Sequence, residues 1–339
     1  MKSEHLRGLV TATGPFASVY LDDSHDTADA SVHLETTWRD IRRDLEARGA
    51  SPAIIARVEK AVLHVRPAVG RRGRAVIATA DEVLVNEHLA GSPPASVVRV
   101  SDYPYLVPLI DLEMRRPTYV FAAVDHAGAD ITLHRGRHVG SADVETGCRA
   151  VAATLTRLVD EAAPEVVFLS GEVRSLADVV AELPARVAER VSELHAGPRK
   201  AGIGEERIRE LTAPEFARRH DREKACTAQR FEAETGRSGL AAQGLAAVCG
   251  ALRDGDVATL IIGDLGDATV VVGDALTTVA PNADALSELG EAVRRVARAD
   301  EALPFAAIAA GASLVRTDSR IAPSDGIGAL LRYAAPVTG

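Results

Sequence analysis

Few residues in this chain have the type and spacing to do chemistry. His134 and His138 stand four apart, a spacing that binds metal only from one face of a helix, and the intervening Arg135-Gly136-Arg137 reads as a turn. With no His-Glu-x-x-His frame, the pair is expected to be two surface histidines. Ser170-Gly171 closes an apolar run and reads as an ordinary strand end, and no Gly-x-Ser-x-Gly elbow is present. Gly326-Ile327-Gly328 lacks the third glycine of a dinucleotide loop, and there is no Walker-type phosphate loop. Asp22, Asp23 and Asp26 are expected to form a solvated acidic turn. Cys148, Cys226 and Cys249 lie far apart and form no Cys-x-x-Cys, which argues against a disulfide framework or a zinc knuckle. No catalytic residue, metal or cofactor is assigned.

The basic residues offer more. Arg66, Arg71, Arg72 and Arg74 fall in one Gly/Pro-containing stretch with no acid among them. Arginine forks suit phosphate, and glycine lets a backbone approach it closely. The stretch reads either as a solvated connector or as an RNA contact. A shorter basic turn, His195-Ala-Gly-Pro-Arg199-Lys200, carries the same two readings.

Elements must hold these residues in place. Phe16–Leu21 reads as a strand, and Leu34, Trp38, Ile41 and Leu45 recur at helical spacing. Ser51-Pro52 predicts the start of a second helix. Thr118–Val124 and Ala129–His134 predict a hairpin, followed by a helix (Cys148–Ala162) and a strand (Glu165–Ser170). Ser175-Leu-Ala-Asp178 and Thr212-Ala-Pro-Glu215 read as capping boxes opening two helices, the second reaching about Thr235, with a strand near Arg186–Leu194 between them. Beyond Gly236–Gly239, the reading is helix (Leu240–Leu252), strands (Val257–Ile262 and Ala268–Val272), helix (Ala283–Ala297), strand (Phe305–Ala309) and a final apolar run, Ile327–Tyr333. These rhythms divide the 339 residues into an N-terminal domain (1–115), a middle domain (116–239) and a C-terminal domain (240–339).

Composition bounds what such domains can do. Apolar residues make up 47%, enough for real cores, whereas aromatic residues are only 4%, leaving few rings to stack on bases. The net charge of −9 argues against wholesale polyanion binding, so any nucleic-acid contact must be local. The excess of 35 Arg over 4 Lys reads first as codon composition. Residues 240–339 hold 12 acids against 7 bases, which makes this the domain expected to face protein or solvent rather than RNA. No secretory leader or membrane-length apolar run is read, and a cytoplasmic protein is expected.

Several segments together resemble the archaeal/eukaryotic class-I release factor and Pelota superfamily. They are Gly244–Ile262, Gly326-Ile327-Gly328-Ala329-Leu330-Leu331-Arg332-Tyr333, Tyr119–Asp125 with Gly128 and Ala129, and Val167-Phe168-Leu169-Ser170-Gly171. Looser matches are Ser18-Val19-Tyr20-Leu21, Arg74–Thr79 and Pro93-Pro94. The chain as a whole is most similar to the actinobacterial branch related to the ribosome-hibernation factor Balon. The resemblance implies an α/β and α+β, three-domain, release-factor-like architecture, with a mixed first domain, an α/β middle domain and an α/β sandwich last. It also implies a non-enzymatic protein that fills the vacant ribosomal A site together with elongation factor Tu. Within that reading, Arg66, Arg71, Arg72, Arg74, His195, Arg199 and Lys200 are the residues expected at 16S and 23S rRNA, with no role at membranes or DNA.

The departures matter as much. Release requires a Gly-Gly-Gln loop in the middle domain, and this chain's two glutamines, Gln229 and Gln243, do not follow Gly-Gly. Arg137–Cys148 instead runs directly into a helix, and the Asn-Ile-Lys-Ser motif for stop codons is missing. Ester hydrolysis therefore lacks its water-positioning group. Two other readings stay open: a codon-independent rescue factor that hydrolyses peptidyl-tRNA, and a stress scaffold off the ribosome.

Overall fold

The computed structural model describes residues 6–24, 30–64, 72–89, 91–112, 118–135, 138–144, 147–194, 203–236, 239–317 and 320–333. They belong to two compact units, one of residues 1–114 with 223–339, the other of residues 115–222.

In the first unit, a short helix α1 (Arg7–Thr11) precedes β1 (Phe16–Asp22). Helices α2 (Ala30–Ala47) and α3 (Pro52–Leu63) follow; the Ser51 side chain accepts from Ile54 N, with Pro52 in the first helical position. Then come β2 (Gly73–Ala78), β3 (Val83–Leu89), β4 (Val97–Ser101) and α4 (Val107–Leu112). The strands form an antiparallel sheet in the order β3-β2-β1-β4. Alternation explains its two faces. Ala17, Val19 and Leu21 pack with Trp38, Ile41, Leu45, Ile54 and Val58 of the two helices. Phe16 and Tyr20 point the other way, into a core shared with the C-terminal residues of the same unit.

The second unit holds β5 (Tyr119–Val124), β6 (Ala129–Arg135), β7 (His138–Val144), α5 (Cys148–Ala162), β8 (Val166–Gly171), α6 (Val173–Glu182), α7 (Ala185–Ala188) and β9 (Val191–Leu194). The sheet order is β7-β6-β5-β8-β9, with the β7, β6 and β5 pairs antiparallel and the β5, β8 and β9 pairs parallel. Val120, Ala122 and Val124 pack on one face with Leu155 and Val159 of α5 and Leu176 of α6. Tyr119, Phe121 and Ala123 pack on the other with Ile208 and Phe216 of α8 (Glu205–Thr235). Covered on both faces, β5 is apolar at every position.

The remaining elements return to the first unit: β10 (Ala241–Gln243), α9 (Leu245–Arg253), β11 (Val257–Ile262), β12 (Thr269–Val272), β13 (Val279–Ala280), α10 (Ala283–Ser287), β14 (Arg295–Arg298), α11 (Ala299–Ala309), β15 (Ser313–Arg316) and β16 (Ile327–Leu331). They make one sheet ordered β10-β16-β11-β15 and a smaller one ordered β13-β12-β14. Phe305 of α11 enters the shared core, its ring 6.1 Å from Phe16 and 5.6 Å from Tyr103.

Several expected elements are corrected. Phe305–Ala309 is the end of helix α11, not a strand; its residues from Ala299 on are apolar on nearly every side, so periodicity carried no signal, and Pro304 sits inside the helix. Ala283–Ala297 is a single-turn helix followed by β14, not one helix. Leu240–Leu252 divides into β10 and α9 at Gly244, whose φ of 85° suits glycine. Neither capping box opens its helix. Ser175 lies inside α6, and Thr212 lies inside α8 with its hydroxyl donating to Ile208 O at 2.8 Å. The stretch from Arg186 to Leu194 begins as helix α7 before becoming β9.

Candidate functional site

Three regions contain the residues singled out in the sequence. The first is the basic stretch after α3. Arg66 and Arg71 lie outside the described residues. Arg74, in β2, is 1% exposed. Its Nη2 is 2.9 Å from Asp23 Oδ2, and Asp23 is itself 1% exposed. Arg74 Nη1 donates to Ala61 O at 2.8 Å and Val62 O at 3.2 Å, near the C-terminal end of α3, where carbonyls are left over and the helix dipole favours a cation. His88 on β3 adds Nδ1 at 3.5 Å from the same Asp23 oxygen. The pairing Leu21↔Arg74 and Gly73↔Leu89 sets this geometry. Gly73 is required because a Cβ there would lie 2.6 Å from Gly91 O.

Two expectations change as a result. Arg74 is not on the surface where RNA would be met: its guanidinium is in the interior, held by Asp23 and the carbonyls of Ala61 and Val62. Arg72 is also buried, and its backbone N–H donates to Ser24 Oγ at 3.0 Å. Asp23 is not part of a solvated turn but the buried counter-charge of Arg74; Asp26 lies outside the described residues.

The second region is the β5–β6–β7 meander. Asp125 Oδ1 accepts from Ala127 N and Gly128 N and closes the β5–β6 turn. Arg135 and His138 are register partners at the near end of the β6–β7 ladder. From β7 the chain reaches α5 within a few residues. His134 is not a surface histidine. It is buried and stacks on Tyr119 with ring centroids 4.3 Å apart and planes 3° from parallel, and Thr132 Oγ1 is 2.9 Å from its Nε2. Tyr119 also meets Phe168 and Phe216 edge-on, at 5.7 and 5.3 Å. In a chain poor in aromatics, this cluster serves to seat α8 on the sheet. The apolar run of β5 was visible in the sequence, but the stacking partner of His134 was not.

The third region, His195, Arg199 and Lys200, lies outside the described residues. Elsewhere, nucleophilic side chains differ in access: Cys226 is exposed and Cys148 half-buried, whereas two others are enclosed. Ser170 is buried on β8, and burial pushes the Cys249 thiol up to about 12. Among the described residues, no group of three or more His, Cys, Asp or Glu is placed to hold a metal ion. No described helix is long and apolar enough to cross a membrane.

Sequence reasoning missed the polar joint inside the first unit. Arg99 on β4 places Nη1 3.3 Å from Glu301 Oε1 and Nη2 3.6 Å from Asp300 Oδ2, and stacks over the Tyr105 ring at 4.5 Å. Ser101 Oγ is 2.7 Å from Glu301 Oε2 and 2.6 Å from Tyr103 O. Desolvation raises the Glu301 carboxyl above the usual carboxylate range.

The comparisons with known proteins bear on this arrangement. The sequence model of bacterial archaeo-eukaryotic release factor family 2 matches residues 137–237, from the β6–β7 turn through α8. That stretch of the chain is thereby similar to a release factor family, by sequence and over those residues. It is 62% identical to the uncharacterized protein Rv2629 of Mycobacterium tuberculosis strain H37Rv, over 99% of this chain and 98% of that one. Among solved structures, the fold is similar to Pelota of Archaeoglobus fulgidus, with 15% identity, a TM-score of 0.42 and coverage of 79% of this chain and 80% of that one. A ribosome-bound archaeal Pelota with ABCE1 is similar at 16% identity and a TM-score of 0.44, covering 98% and 94%. In this chain β7 ends at Val144 and α5 begins at Cys148, and no Gly-Gly-Gln occurs anywhere in the sequence.

Proposed function

We propose that this protein binds the vacant A site of idle ribosomes, together with elongation factor Tu, and holds them inactive without breaking a bond. The observation that carries this reading is a sequence without Gly-Gly-Gln, whose glutamine would position water at the ester, and it is supported by a β7 that is followed closely by α5. The enclosed Ser170 and Cys249 supply no replacement nucleophile.

Ribosome binding in the cytoplasm is inferred by analogy with superfamily relatives, one of which is described bound to the ribosome. In this reading, Arg66 and Arg71 meet rRNA phosphates from the first domain, and His195, Arg199 and Lys200 do so from the middle one. Such contacts would be electrostatic and would read backbone shape rather than sequence. Occupancy alone would exclude tRNA.

The test is to add purified protein to ribosomes carrying labelled peptidyl-tRNA in the P site. The expected result is co-sedimentation with the ester intact. Stoichiometric release of peptide would establish the rescue-factor reading instead. Failure to co-sediment at low and physiological salt would favour a scaffold off the ribosome.

A further inference from the structure

The smaller sheet of the C-terminal region, ordered β13-β12-β14, ends on β14, which has no strand on its outer side among the described residues. Cross-strand register places Ala280, Val271 and Val296 in one row across the three strands. Residues directly opposite one another share a face. Helix α10 covers the first two: Leu286 packs with Val271 and Ala280. The cover stops there, and Val296 is 64% exposed. Every residue from Ser287 to Val296 is exposed, including Leu289 and Val293. An apolar row that runs one strand past its cover and ends on an unpaired edge is a half-built interface.

Charge indicates what completes it. The arginines of this edge are answered by the chain's own carboxylates: Arg294 by Asp274, Arg295 by Asp102, and Arg298 by Asp267 and Asp300. The exposed carboxylate of Glu291 also acts on Arg294 beside this edge, while Asp284 and Glu288, both exposed, add negative charge at α10. Residues 240–339 as a whole hold 12 acids against 7 bases. The residual field is negative, which repels RNA and attracts a cationic segment.

We propose that β14 is a strand-addition site for a basic, extended segment of a partner protein, one that alternates Lys or Arg with apolar residues. Backbone hydrogen bonds to the free edge would supply affinity. Apolar side chains on Val296 and cations near Glu291 would supply selectivity. The proposal stands apart from the ribosome reading, because it concerns a protein contact on the acidic region and can be tested without ribosomes.

The experiment is hydrogen exchange on the full chain, with a short peptide of alternating lysine and valine as the probe. The expected result is slowed exchange across residues 294–298, with binding about tenfold or more tighter than for the glutamate–valine counterpart, the factor a few cross-strand charge contacts provide. Val296→Ser, an exposed change that should leave the fold intact, and Glu291→Lys should each weaken the protection several-fold. Four results would overturn the proposal: no protection of this segment, equal protection by the acidic peptide, protection by an RNA oligonucleotide, or protection that grows with protein concentration alone, which would make the edge a self-association surface.

Discussion

Arg74 and Asp23 form an ion pair of 2.9 Å in which neither side chain is more than 1% exposed, and the pair ties β2 to the end of β1 while Arg74 also grips the end of α3. A buried charge left alone is expensive, so the two residues depend on one another. Arg74→Ala or Asp23→Ala should each destabilise the protein by about 3–5 kcal/mol. Denaturant unfolding would show this as a lower midpoint. A change of under about 1 kcal/mol in either variant would mean the pair does not hold the first domain together.

That assignment separates two kinds of arginine within one stretch. Arg66→Ala with Arg71→Ala should leave the unfolding midpoint near wild type, yet weaken ribosome binding and flatten its salt dependence. Arg74→Ala should do the reverse and lose stability first. Co-sedimentation across a salt series, read beside unfolding curves, distinguishes them. Unchanged binding in the Arg66/Arg71 variant would remove this stretch from the rRNA contact.

Glu301 sits behind Arg99 and Ser101 with its carboxyl raised by burial. The folded protein therefore holds this proton to higher pH than the unfolded chain does. The linkage slope is then negative, and this group lowers stability as pH rises through the window from the ordinary glutamate value, about 4.3, to the raised one. Glu301→Gln removes that titration. Relative to the variant, wild type should lose stability as pH climbs through the window and then level off. Thermal unfolding at a series of pH values would measure it; a difference that grows in the opposite direction would contradict the burial account.

Two glycines, Gly326 in the turn just before the closing strand and Gly328 within it, are expected to resist even alanine. At Gly328 a Cβ would lie 2.7 Å from the Phe231 ring of α8; at Gly326, which has φ 70°, it would lie 2.0 Å from Asp264 O. Gly328→Ala should cost about 1–3 kcal/mol, the range for overpacking a core. Gly326→Ala should cost more, because the obstacle is backbone and the conformation itself is unfavourable. Equal unfolding midpoints for wild type and both variants would refute this packing.

The cysteines should differ in reactivity. Cys226 is exposed, whereas Cys249 is buried with its thiol held up at about 12. At neutral pH, maleimide labelling followed by mass spectrometry should modify Cys226 in the native protein and Cys249 only after unfolding. Rapid native labelling of Cys249 would show that the α9 core opens readily.

The sequence made some of this legible and hid the rest for physical reasons. Apolar β-type runs exposed β1 and β5, alternation exposed β6, and amphipathic spacing exposed α2, α3 and α5, because strands covered on two faces read as continuous apolar runs and half-covered elements show their period. Helix α11 was misread as a strand because burial on nearly all sides erases its period. The basic stretch was misjudged for a different reason. Asp23 and Arg74 were each noticed, but 51 positions separate them, and only the β1–β2 register brings them together. The Arg99–Glu301 joint was invisible on the same grounds, its partners lying on β4 and α11. The absence of Gly-Gly-Gln, by contrast, needed no structure.

The central claim is occupancy without hydrolysis, and a cryo-EM map of ribosomes carrying P-site peptidyl-tRNA, incubated with saturating protein and elongation factor Tu, tests it most directly. The account predicts density for this chain in the A site, with the first domain toward the decoding region and the peptidyl ester continuous beside it. An empty A site, or a deacylated P-site tRNA beside the bound protein, would contradict it.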